Sequence, residues 1–168
     1  MKPINQRGQF LETILSNTHQ KYRHKHLALV YKMPVLKMLN PNLLIQRNHY
    51  FCDYIGCYAG YYFEFEAKET SREEFHWNQL TKNQQYKLKQ IKNHQGLGFV
   101  IIYFSHYQEF WLLFYDDLMN FITQHSQIIN YQNCQKLGFK LILESNFTLD
   151  YLPILIKKMP LLEAIKLN

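Results

Sequence analysis

The run LGFVIIYF, Leu97 to Phe104, constrains this chain more than any other stretch. Every position in it is apolar, aromatic or glycine. Nearly continuous apolar strands belong to sheets buried on both faces, whereas a half-wet sheet shows a polar residue at every second position. The run is also far short of the roughly 20 residues that a membrane-spanning helix needs. The flanking pattern supplies the covering layers. Leu11, Ile14 and Leu15 recur at helical spacing, which predicts an amphipathic helix over roughly residues 8–22. HLALVYKMP reads as a strand stopped by Pro34, and DYIGCYAGYYFEFEAKET as a hairpin. Leu80 to His94 reads as a second amphipathic helix, with Leu88 and Ile91 inward and Lys82, Lys87, Lys89 and Lys92 outward. EFWLLFY is a further strand, and Asp116 to Ile122 a third helix. This order predicts an α/β fold, a mixed β-sheet flanked by helices. Residues 123–168 carry no clear assignment.

A chain of 168 residues suits one domain. Its 19 Lys and Arg against 13 Asp and Glu give a net charge of +6, which favours an anionic partner, nucleic acid or membrane surface. The opening MKPINQRGQF lacks the apolar stretch of a secretory signal, so the cytoplasm is expected. Cys52, Cys57 and Cys134 are too irregular for a disulfide framework or a zinc site and are expected as free thiols. Trp77 and Trp111 are expected as core or interface anchors. Leu36 to Tyr50 surrounds the turn signal Asn40-Pro41-Asn42; this segment, about 35–50, either protrudes as a two-stranded arm or packs on the core.

The hairpin carries the chemistry. In a strand FEFEAKET, Phe63, Phe65 and Ala67 point one way and Glu64, Glu66 and Lys68 the other. A two-residue turn at Ala59-Gly60 sets Tyr58 against Tyr61 and, further along, Asp53 against Glu66. Opposed like charges are destabilising and raise one carboxyl pKa unless a cation intervenes. Mg²⁺, commonly held by one or two carboxylates with water and phosphate oxygens, resolves the conflict. Lys68 beside it would offset negative charge growing at phosphorus. Two readings stay open on these grounds: a metal-dependent phosphodiester site, or solvated charges on the exposed face of a half-buried sheet. A bulge at Gly56 would break the register.

Asp53, twelve intervening residues, then Glu66-Ala67-Lys68 resembles the core of the PD-(D/E)XK nuclease superfamily. More narrowly, the chain resembles the RecU family of Holliday junction resolvases. The matching segments are Arg7-Gly8-x-x-Leu11-Glu12, Asp53-Tyr54-x-Gly56, Phe65 to Thr70, Gln84 within a helix, and Phe99 to Ile102 followed by Phe104-Ser105, with a weaker match at Leu149 to Leu152.

The resemblance implies a restriction-endonuclease-like fold forming a single nuclease domain over 1–168, with the 35–50 segment as a stalk entering the junction. It implies a homodimer that cuts opposed strands of four-way branched DNA symmetrically in recombination and repair. Mg²⁺ would be required, with Mn²⁺ able to substitute. A recombinase is a further implied partner, no membrane is involved, and a cytoplasmic, nucleoid-associated location follows. By the same resemblance Asp53 and Glu66 are metal ligands, Lys68 stabilises the transition state, Gln84 joins the metal site and Glu12 is the acid of the first helix. Arg7 of the matched first segment, and on charge and position Lys25 and Lys32 beside the first strand and Arg47 between arm and hairpin, are the expected DNA contacts.

Several departures matter. Phe51 and Cys52 stand where the resembled family carries hydroxyl residues, Gln6 separates Asn5 from Arg7, and by comparison with that family a shorter stalk and no basic N-terminal extension are expected. They leave room for a weakened or inactive DNA-binding modulator of recombination, or for a nuclease acting on other branched DNA. A peripheral membrane protein would account for the basic charge but not for the registered acids.

Overall fold

The structure, a computed structural model, describes residues 8–34 and 51–159. The expected stalk over about 35–50, together with Arg7 and Arg47, lies outside the described residues. The chain runs α1 (Gln9–His24), β1 (Leu29–Lys32), β2 (Tyr54–Tyr58), β3 (Tyr61–Thr70), β4 (Glu74–His76) and α2 (Lys82–Asn93). It continues with β5 (Leu97–Phe104), β6 (Glu109–Phe114), α3 (Tyr115–Gln124), β7 (Ile128–Asn130), α4 (Tyr131–Leu137), β8 (Phe139–Leu141) and α5 (Leu152–Ile156).

Six strands form the main sheet in the order β1-β2-β3-β5-β6-β8. The pairing of β3 with β5 is parallel and every other pairing is antiparallel, so the expected mixed sheet is present. A parallel pair needs a crossover, and α2 is that crossover. β5 is buried along both faces, as its composition demands. Phe99, Ile101 and Tyr103 join a core with Leu11, Ile14, Leu15 and Tyr22 of α1. Val100, Ile102 and Phe104 join a second core with Leu88 and Ile91 of α2 and Leu118 of α3. Each fully buried side chain of this kind contributes about 1.5–3 kcal/mol, which fixes both helices on the sheet.

Trp77 and Trp111 are buried in the second core, and the three cysteines are free, two of them buried. The third helix is longer than expected and begins at Tyr115. The small β4–β7 sheet was not foreseen; its strands have three residues each and come from distant parts of the chain. Among the described residues, no helix is long and apolar enough to cross a membrane.

Candidate active site

The β2–β3 hairpin sets the geometry. Ala59 and Gly60 have φ of 50° and 83°, the paired left-handed backbone that a two-residue turn needs to match strand twist. The register that follows is Tyr58 with Tyr61, Gly56 with Phe63 and Tyr54 with Phe65, without a bulge at Gly56. A Cβ at Gly56 would lie 2.3 Å from the Phe63 ring and 2.9 Å from the Leu29 carbonyl oxygen, so the close approach of three strands requires glycine there. One step beyond the ladder, Asp53 reaches the level of Glu66. Its carbonyl oxygen accepts from the Met33 N–H at 2.8 Å, and its Oδ2 accepts from the Ala67 N–H at 3.2 Å.

Alternation puts Phe63 and Phe65 against α1, and Glu64 and Glu66 on the opposite face. The reading of these acids as solvated surface charges is overturned: both have 0% exposure. Helix α2 lies over them. Lys68 Nζ stands 3.1 Å from Glu66 Oε2 and 3.9 Å from Asp53 Oδ2. Gln84 Nε2 donates to Glu66 Oε2 at 2.5 Å. The orientation of this amide is set by a capping box at the start of α2. There the Gln84 Oε1 accepts from the Thr81 N–H at 2.9 Å and the Thr81 hydroxyl accepts from the Gln84 N–H at 3.2 Å. Gln85 points elsewhere, donating to the Trp77 and Leu80 carbonyls, so Gln84 is the glutamine at the acids. As oriented, it presents nitrogen and steers Glu66. An amide flip would offer oxygen instead, at the expense of the capping contact.

Burial pushes the Glu66 carboxyl up to about 8, the Asp53 charge adds to the rise, and Lys68 opposes it. Glu66 Oε1 is buried and has no hydrogen-bond partner among the described residues. An unpartnered carboxyl oxygen is a hard donor, and the Asp53 charge and the Lys68 ammonium both act on the same Glu66 side chain. Among the described residues no three His, Cys, Asp or Glu side chains are grouped to hold a metal. The hairpin brings two carboxyl groups together, those of Asp53 and Glu66, and a hard ion whose shell is completed by water and phosphate oxygens needs no more. The Cys52 thiol is driven far above its usual range, first by burial and then by Glu66, Glu64 and Asp53, so it offers no thiolate.

The other expected residues divide. Glu12 on α1 is half-exposed and pairs with Lys32 at 2.7 Å, so the charge of Lys32 is already compensated by an acid of the same chain. The Tyr54 hydroxyl, buried without a partner among the described residues, is raised by burial and then by Glu12 and Asp53, which places both acids near it. Lys25 is exposed just past the end of α1. Glu64 and Lys87 were missed as parts of the site. Their signal was the E-x-E-x-K alternation and the placement of Lys87 three residues after Gln84 on one helix.

The family model described as "Recombination protein U" matches residues 6–157. The chain is 30% identical to the Holliday junction resolvase RecU of Mycoplasmopsis pulmonis, over 88% of this chain and 92% of that protein. It is 32% identical to the protein of the same name from Bacillus cytotoxicus, over 89% of this chain and 82% of the relative. Among solved structures, Hjc of Archaeoglobus fulgidus, a Holliday junction resolvase from an archaeal hyperthermophile, superposes with a TM-score of 0.51. That match covers 79% of this chain and 93% of the other at 11% identity, a likeness of fold.

Proposed function

The chain belongs to the recombination protein U family, and from that premise we propose that it is an endonuclease that resolves Holliday junctions. The observation that carries the reading is the buried Glu66 carboxyl, with one unpartnered oxygen, beside Asp53 and Lys68. A buried carboxyl group with a raised pKa and a specific charged neighbour is a functional signature.

Asp53 and Glu66 would hold a divalent ion, Mg²⁺ or Mn²⁺, and the pair fits one because a cation removes the conflict between the two acids. When bound, such an ion supplies Lewis acidity toward a phosphodiester oxygen. Gln84 holds one oxygen of Glu66, which would leave the other free to serve as a ligand. Lys68, held between the two acids, offsets negative charge that grows on the scissile phosphate. The sheet and α2 exclude bulk water from Glu66, which strengthens each of these interactions. The substrate is four-way branched DNA, and a homodimer presents two such sites to opposed strands, since a twofold assembly suits a junction of twofold symmetry.

Cleavage of a labelled four-way junction, titrated with Mg²⁺ and Mn²⁺, tests the proposal. Glu66→Gln and Lys68→Ala are expected to bind the junction and leave it uncut. Nicking at the unsubstituted protein's rate by either variant refutes the assignment. Equal preference for linear duplex of the same length would make the protein a nuclease of another substrate.

A further inference from the structure

We propose that Glu64 is a positioning residue for Asp53, an inference that rests on the reading of Asp53 and Glu66 as a cation-holding pair. The β2–β3 ladder ends at Tyr54 and Phe65, one residue short of the acids. Beyond that rung two main-chain donors are taken up by carboxyl groups. The Ala67 N–H goes to Asp53 Oδ2 at 3.2 Å, and the Cys52 N–H goes to Glu64 Oε2 at 2.8 Å. Two side chains thus continue the pairing that the backbone abandons, and they hold the residue before Asp53 as well as Asp53 itself. From the other side, the Met33 N–H donates to the Asp53 carbonyl at 2.8 Å. Asp53 is clamped between its neighbours in the sheet.

Glu64 is fully buried, and its other oxygen, Oε1, accepts from the Tyr62 hydroxyl and lies 3.5 Å from Lys87 Nζ. Lys87 in turn lies over the Phe51 ring, 5.2 Å from its centroid. The Phe51-Cys52 pair that precedes Asp53 is thereby gripped through Glu64 and Lys87. An apolar residue at position 64 would cost less to bury. The carboxyl group sits where only an acceptor can satisfy the Cys52 N–H, and that donor is adjacent to the metal-site aspartate.

Mn²⁺ binding to the full chain, measured calorimetrically at constant pH without DNA, tests this directly. Loss of an outer-shell partner commonly weakens metal affinity by about 10- to 100-fold. Glu64→Ala and the shortened Glu64→Asp, which draws back from the Cys52 N–H, are each expected to weaken Mn²⁺ by about tenfold or more. Glu64→Gln keeps an acceptor of the same length and is expected to stay within about threefold of the unsubstituted protein. Junction affinity in EDTA is expected to be unchanged in all three. If Glu64→Ala does not fold, the contrast between the Asp and Gln variants carries the test. Unweakened binding in the Asp variant overturns the inference, as does a Gln variant as weak as Asp, which would make charge rather than reach the cause. Unsubstituted protein that binds Mn²⁺ no better than Glu66→Gln overturns the site reading itself, and this inference with it.

Discussion

Glu66 should make the ion-free protein lose stability as pH rises. Its carboxyl is raised from 4.5 to about 8, first by burial and then by Asp53. An acid with a raised folded-state pKa holds its proton more tightly when folded. Its contribution is thus neutral below about pH 4.5 and increasingly unfavourable until the pH passes about 8. At about 1.4 kcal/mol per pH decade, the full loss is about 5 kcal/mol, of which about 3 kcal/mol has accrued by pH 7. That is a large share of the 5–15 kcal/mol typical of a folded domain. Glu66→Gln removes the ionisation, while its amide oxygen can still accept from Gln84 and Lys68. Urea unfolding in EDTA, run from pH 5 to 9 on both proteins, isolates the Asp53–Glu66–Lys68 cluster because titrations elsewhere cancel in the difference. The stability of the variant relative to the parent should climb by about 4 kcal/mol across the range and level off toward its upper end. Added Mn²⁺ should restore the parent alone. A difference that does not vary with pH would refute the burial argument.

Three other outcomes follow from single positions. Ala59→Asn should stabilise the hairpin by about 0.5–1 kcal/mol, since asparagine tolerates the left-handed φ of 50° better than alanine; an unchanged thermal midpoint would contradict this. Gly56→Ala should cost about 1–3 kcal/mol by driving a methyl group into Phe63 and the Leu29 carbonyl, and a parental midpoint would show that the strands can part. His19 is buried against the Tyr151 hydroxyl at 2.9 Å, and burial, then Arg23, lowers its pKa from 6.5 to about 3. It therefore supports the fold above pH 6.5 and withdraws about 1.4 kcal/mol per decade as pH falls toward 3, so His19→Gln should flatten the acid limb of the stability curve. Parallel acid limbs would argue against that role.

The main-sheet strands through β6 were legible because their signals are local. Ala59-Gly60 fixes the hairpin register, and the uninterrupted apolar run of β5 requires cover on both faces. What the sequence hid was tertiary. The acidic face of β3 looks like an ordinary wet strand face until α2 crosses over it on the way to β5. The lysines of α2 look like one solvated stripe, yet Lys87 turns inward to Glu64 and Lys92 pairs with Asp116 at 2.6 Å. Lys32, read as a phosphate contact from its charge, is held by Glu12 across the α1–β1 contact. The β4–β7 pair escaped notice because three-residue strands carry too little periodicity to read. For the site, alternation and register brought Asp53, Glu66 and Lys68 together, while the choice between Gln84 and Gln85 turned on the Thr81-x-x-Gln84 capping box, a legible pattern that was not foreseen.

The crossover through α2 also sets an order of assembly. The hairpin is local and can close early, so Asp53 and Glu66 meet while still bathed in water, where both are ordinary acids. Only when β3 and β5 align side by side, with the whole of α2 looped between them, does the lid of Gln84, Lys87 and Leu88 come down. Parallel pairing is a late event because it must first close that loop. On that order the raised pKa of Glu66 is expected to arise only when the crossover closes, and a nascent chain that meets a cation at the hairpin stage can close its lid over an acid pair already neutralised.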